Sequence, residues 1–237
     1  MQPRLRGLLA LLALLMLAAC ATEPAPSPIR LPASASKPPD AAFPAPPELQ
    51  PQVEFWSKVY GVWGRGQIAL HDDRYMDVIY GVITLPGPVD EGQTAEQKNF
   101  AKEHYETLKE LLRQVEFKSA ANIPLTPAEQ SLANYIRKSS GGPGAIVGAS
   151  ERLRSQRGLR ERFKQGLEIS GRYDAAFRGV FREAGLPEDL AYLPHVESSF
   201  QNHAASSVGA VGMWQFMPAT GRRLMMLNAA VDERRDP

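Results

Sequence analysis

The chain is expected to be mainly α, and α+β overall, on three observations: two helix starts carry complete capping signatures, apolar residues recur at helical spacing over most of the second half, and only one segment reads as a β-hairpin. The hairpin falls in the stretch from Glu54 to Leu85, which is rich in aromatic and β-branched residues. Gln67 to Leu70 and Asp77 to Leu85 are its two strands, with His71-Asp72-Asp73-Arg74 as the turn signal between them. Pro86-Gly87-Pro88 ends that pattern. Thr94 with Gln97 then forms a capping box for a helix to about Arg113, whose Phe100, Leu108, Leu111 and Leu112 share one side. Thr126-Pro127-Ala128-Glu129 starts the next helix, with proline at the first helical position and Leu132, Tyr135 and Ile136 as its apolar face.

After the break at Ser139 to Gly144, the patterning predicts helices over 145–153, 159–169 and 173–184, with Gly171 and Gly185 ending the last two. Leu159 and Phe163, then Tyr173, Phe177, Val180, Phe181 and Ala184, form apolar stripes that would pack on a further helix beginning near Pro187. In that helix Leu190, Leu193 and Glu197 share one face, so the carboxylate would point where leucines point. A carboxyl group buried there would favour its protonated form, which is what general acid catalysis requires. Pro194 is expected to bend the helix just before Glu197, while Glu188 and Asp189 suit the positive end of its dipole.

Beyond Phe200 comes a small, polar stretch, 202–207, and then the run from Gly209 to Gly221, read as the second wall of a groove. Gly209 and Gly212 permit close backbone approach, Trp214 offers a flat face of the kind sugars pack on, and Gln215 brings a donor and an acceptor. Met213 and Phe216 read as packing residues.

These motifs together resemble the lytic transglycosylases of the soluble-type, lysozyme-like superfamily, most closely the membrane-bound lytic murein transglycosylase D group. The resemblance is carried by Glu197-Ser198 within LPHVESSF, by GMWQFMPATGRR from Gly212 to Arg223, and by SQRGLRERFKQGLEISGRY leading into REAGLPEDLAYLP, over roughly the last eighty residues. It implies a lysozyme-like helical domain that cleaves the β-1,4 bond between N-acetylmuramic acid and N-acetylglucosamine without water, leaving a 1,6-anhydromuramoyl end. It further implies that Glu197 acts first as acid and then as base, so that a second carboxylate is not required. Carried over residue by residue, Glu197 is catalytic and Ser198, Gly212, Met213, Trp214 and Gln215 are supporting or substrate-binding. The resembled family continues past the point where this chain stops, at Asp236-Pro237. A catalytic domain truncated at its C-terminus, and weak or absent activity, are therefore expected. Two other readings stay open: a goose-type lysozyme-like hydrolase, and a non-catalytic peptidoglycan-binding lipoprotein.

The N-terminus sets the compartment. Arg4 and Arg6 precede an apolar run from Leu8 to Leu17, which is a secretory signal too short to span a bilayer. Leu17-Ala18-Ala19-Cys20 resembles the bacterial lipobox, which implies lipidation of Cys20 and, with Ala21 following, an outer-membrane anchor facing the periplasm. Cys20 is the one cysteine, which excludes an internal disulfide. Between Ala21 and Pro51 the chain holds half of its 20 prolines and no apolar period, as a tether would. The expected division is a signal peptide over 1–19, a lipidated tether over 20–52, an accessory region over 53–150 and a catalytic segment over 151–237.

A net charge of +1, from 27 Lys+Arg against 26 Asp+Glu, makes nucleic acid an unsuitable partner for the chain as a whole. Arg152, Arg154, Arg157, Arg160, Arg162 and Lys164 are a local exception: they read as a solvated helix face, or as a surface for the anionic stem peptides of the wall. The partners implied are peptidoglycan strands and, through Cys20, a membrane. His195 and Glu197, two apart, face different sides of a helix, so no metal site is expected, and no cofactor is implied.

Overall fold

The sheet at the centre of the fold joins segments far apart in sequence. The computed structural model describes residues 42–237; the expected signal, Cys20 and most of the expected tether lie outside them. Helix α1 (Gln50–Gly61) leads into β1 (Gln67–Asp72) and β2 (Ile79–Thr84), an antiparallel pair in which Gln67 faces Thr84 and Leu70 faces Gly81. On its other edge β1 pairs antiparallel with β3 (Leu153–Arg157), so the strand order is β2-β1-β3. As the middle strand, β1 is buried from Ile68 to Asp72, with no polar alternation. The described residues are mainly helical around this one small sheet, as the sequence predicts.

Helices α2 (Ala95–Ala120) and α3 (Pro127–Arg137) cover the sheet, and α2 runs well beyond the expected end at Arg113. Both capping boxes form: the Thr94 and Thr126 hydroxyls accept from the N–H groups of Gln97 and Glu129, whose side chains accept from the cap N–H groups in return. Ile68, Leu70, Leu112, Val115, Ile136 and Leu153 lie in the main core. A smaller core under α1 gathers Phe55, Val59, Trp63 and Ala69, with Leu159 against it.

Three expectations are corrected. His71 and Asp72 belong to β1, and the hairpin turns over residues 73–78. The Asp72 side chain drives that shift, because its Oδ1 accepts from the N–H groups of Arg74 and Tyr75, at 2.9 Å each. Next, no helix spans 145–153. A 3₁₀ turn (Gly142–Ile146), a left-handed Gly148 at φ 76° and the short α4 (Ala149–Arg152) lead into β3, because the open edge of β1 offers a ladder that local helix propensity does not outweigh.

The third correction concerns the basic cluster: Arg160, Arg162 and Lys164 are exposed on a helix as expected, but Arg152, Arg154 and Arg157 are not on a solvated helix face. Arg152 donates from Nε to both carboxylate oxygens of Asp72, at 3.1 and 2.9 Å, and also binds the carbonyls of Val147 and Ala145. Arg157 donates to the carbonyls of Arg65, Glu91 and Asp90. Arg154 pairs with Asp73 at 2.8 Å, and Arg160 with Glu161 at 3.0 Å. Arg152, Arg154 and Arg157 tie loops to the sheet.

Helices α5 (Arg160–Ser170) and α6 (Asp174–Glu183) follow, close to the expected spans. Helix α5 touches α1 on one side and α7 (Leu193–Glu197) on the other. Its Gly166 allows that second approach, since a Cβ there would sit 3.0 Å from the Ser199 carbonyl oxygen. Of the expected apolar stripe, Val180 and Ala184 are instead exposed. No helix among the described residues is long and apolar enough to cross a membrane.

Candidate active site

The segment carrying Glu197 folds as a 3₁₀ turn, Glu188–Tyr192, followed by the five-residue α7. Three residues per turn in the first part change the phase of the helix, so Leu190, Leu193 and Glu197 do not line an interior face. The buried residues are Ala191, Pro194, His195 and Ser198, whereas Leu193 and Glu197 are exposed. The expected burial of Glu197 is therefore corrected by a rotation of one residue: Ser198 points inward and the carboxylate faces outward. Pro194 lies in the first turn of α7, where its missing N–H leaves no helical bond unmade, rather than inside a longer helix.

Directly after Glu197 the chain turns sharply. Ser199 and Phe200 both take left-handed backbone angles, φ 55° and 59°, which are costly for residues with a side chain. The N–H groups of Ser198 and Phe200 converge on the Pro194 carbonyl, both at 3.1 Å. Phe200 is buried against His195 at 4.5 Å and stacks near Phe177 at 6.2 Å, so aromatic packing holds the strained turn. His195 also packs on Phe163 at 5.4 Å. Burial pushes its pKa below the ordinary value despite the opposing charge of Asp174, and its Nδ1 has no hydrogen-bond partner among the described residues.

Ser198 fastens this turn to the second motif. Its hydroxyl donates to the Met213 carbonyl at 2.7 Å and accepts from the Gln201 N–H at 3.2 Å. Buried in this way, the hydroxyl is spent on holding the two loops together. Gln215, at φ 52°, donates from Nε2 to the carbonyls of Gly212 at 2.7 Å and Ala204 at 3.4 Å, which staples the groove wall internally. Met213 is fully buried. Trp214, half-buried, packs on Phe177 at 5.0 Å and Phe181 at 6.0 Å of α6.

Gly212, at φ 86°, has the Arg234 backbone against it: a Cβ there would meet the Arg234 carbonyl oxygen at 1.6 Å. Arg234 escaped the sequence reading. It is buried, pairs with Asp232 at 2.8 Å, and donates to the carbonyls of Gly209 and Phe216, so it closes the loop from behind. Nothing local in the charge run Asp232-Glu233-Arg234-Arg235-Asp236 distinguishes the buried Arg234 from the exposed Arg235 beside it.

Around the carboxylate two further groups come from outside the motif. Burial pushes the Tyr60 phenol up, the charge of Glu197 adds to that and Arg162 opposes it, which puts all three within electrostatic reach. Tyr60 stacks with Trp56 at 5.8 Å on α1 and touches Phe163 of α5 at 5.3 Å. Arg162 donates to the Ser198 carbonyl at 3.3 Å. Next to Arg162 opens a cleft of about 530 Å³, lined on one side by Gln201, His203 and Ala204 and on the other by Arg65, Arg157 and Glu161. Glu197 is not among the residues that line it.

Residues 180–237 match the model of the family described as Transglycosylase SLT domain. The match covers about a quarter of the chain. That segment holds α7, Glu197, the Ser198 bridge and the whole loop from Gly209 to Phe216. The membrane-bound lytic murein transglycosylase D proteins of Escherichia coli strain K12 and of strain O6:H1 are each 41% identical to this chain over 59 residues. The match spans 24% of this chain and only 13% of each relative. Tyr60 and Arg162 lie outside the matched residues, yet the fold brings both within electrostatic reach of Glu197.

Proposed function

We propose that the protein is a peptidoglycan lytic transglycosylase in which Glu197 is the single acid and base. The observation that supports this most directly is the exposed carboxylate at the end of α7, held next to the GMWQ loop by the 2.7 Å bond from Ser198 to Met213, inside the SLT segment. Glu197 would donate its proton to the glycosidic oxygen and then, as carboxylate, take the proton from the muramoyl C6 hydroxyl as that oxygen closes on the anomeric carbon. One proton leaves and one returns, so the residue ends as it began. A glycan strand lying over the exposed carboxylate would itself exclude water, which the intramolecular attack requires. Ser198, Gln215 and Gly212 act as positioning residues: they fix the loop rather than touch the sugar.

The N-terminal reading belongs to the same proposal. Lipidation of Cys20 would hold the protein at the outer membrane, facing the periplasm, with the proline-rich stretch as its spacer. The catalytic segment would follow the accessory region.

Mass spectrometry of sacculi incubated with the protein tests the reaction. Muropeptides with 1,6-anhydro ends are expected, and their yield should fall at least about a thousandfold in Glu197→Gln with the fold intact by circular dichroism. Reducing ends, heavier by one water, would mark a hydrolase instead. Products undiminished in the variant would remove Glu197 from the chemistry.

A further inference from the structure

The cleft beside Arg162 is assembled from two distant parts of the chain. Arg65 comes from the loop between α1 and β1, Arg157 from the end of β3, Arg162 from α5, and Gln201 and His203 from the loop that follows Glu197. Its charges are unequal. Three guanidinium groups face two carboxylates, and those of Glu161 are already taken: Oε2 accepts from the Arg65 N–H at 2.8 Å and Oε1 from Arg160 at 3.0 Å. Arg157 spends its donors on three carbonyls. Arg65 is 4.0 Å from Glu161, and Arg162 makes one long bond, 3.3 Å, to the Ser198 carbonyl. Both therefore retain N–H groups that a planar anion would satisfy.

We infer that this cleft receives the acidic peptide carried by the N-acetylmuramic acid ring, with Arg65 and Arg162 binding its carboxylates and Gln165, Gln201 and His203 available to its amides. The inference rests on the proposed glycan-cleaving function. If that ring is at Glu197, its peptide branches from the same sugar and must leave the site within one residue of it. Arg162 bridges the two places, since it binds the carbonyl of the residue next to Glu197 and lines the cleft. On this view residues outside the SLT match supply specificity: the matched segment selects the sugar, and Arg65 with Arg162 selects a charged peptide.

Binding is best measured by titration calorimetry in Glu197→Gln, so that no ligand is consumed. Three ligands separate the possibilities: the N-acetylglucosaminyl-N-acetylmuramoyl disaccharide bearing L-Ala-D-Glu, the same molecule with its carboxylates amidated, and chitotetraose, which has no peptide. The acidic form is expected to bind about tenfold more tightly than the amide form, an advantage that shrinks with added salt. Arg65→Gln should bring the ratio of the two affinities close to one, and Arg65→Lys should restore part of it. Should the first substitution prove unfolded by thermal melting, the salt dependence of the ratio in the parent protein decides the matter alone. Equal binding of acid and amide forms, or an equal loss of both in Arg65→Gln, overturns the peptide cleft while chitotetraose binding leaves the glycan reading standing. Failure of all three ligands to bind removes both.

Discussion

Gly212 is the position at which a single methyl group would do most damage. Its φ of 86° is strained for any other residue, and the Arg234 carbonyl occupies the space a side chain would need. Gly212→Ala is expected to destabilise the protein by at least about 3 kcal/mol, read by urea unfolding, because neither backbone can withdraw without breaking the loop. Ser198 gives a milder case. Ser198→Ala strands the buried Met213 carbonyl and should cost about 1–3 kcal/mol. It should also lower the catalytic rate more than it changes KM, since the hydroxyl is bound to the protein on both sides. Glu197 shows the limit of pattern reading at this scale. Its identity and its neighbour were legible from the motif, but its exposure was not, because a switch from 3₁₀ to α geometry within the segment moved the inward face by one residue.

Among elements, the join between β1 and α4 rests on one buried ion pair beside the three-stranded sheet. The Asp72 carboxylate is wholly buried and is held by Arg152, by the N–H groups of two turn residues and, at 3.5 Å, by the Tyr80 hydroxyl. Arg152→Met leaves that charge without its cation and should cost about 3–5 kcal/mol, seen as a drop in the midpoint of denaturant unfolding. A hydrophobic replacement of both partners is expected to cost less than either single change, and a double-mutant cycle checks this. The helices with strong local signals were legible in the sequence: both capping boxes closed as the spacing of Thr94 with Gln97 and Thr126 with Glu129 required. Strand β3 was not legible. Leu153 to Arg157 alternates poorly and carries no turn signal, and it becomes a strand only because the edge of β1 is there to pair with it.

For the molecule as a whole, two buried histidines link stability to pH. Burial lowers the pKa of His71, against the Asp72 carbonyl and the nearby acids, and that of His195, against Asp174. In the unfolded chain both take up a proton as the pH falls through 6.5, whereas the folded protein resists doing so. The unfolded state then binds more protons, and stability falls with decreasing pH until the folded groups also protonate. The melting temperature is expected to decline from just above pH 6.5 downward, and the slope should flatten in His195→Phe and flatten further when His71→Asn is added. A decline that is equally steep in the double variant would assign the effect to other groups.

The sequence by itself determined the two capped helix starts at Thr94 and Thr126, the presence of a hairpin and the order of the motifs, since each of these depends on residues within a few positions of one another. Tertiary structure decided which arginines are structural and which face a cleft, that Trp214 packs on α6, and that Arg234 seals the loop from behind. It also brought Tyr60 and Arg65 beside a segment more than a hundred residues away. The physical reason is the same in each case: a side chain's role is set by the partner that satisfies its charge or covers its apolar surface, and these partners are remote in the chain.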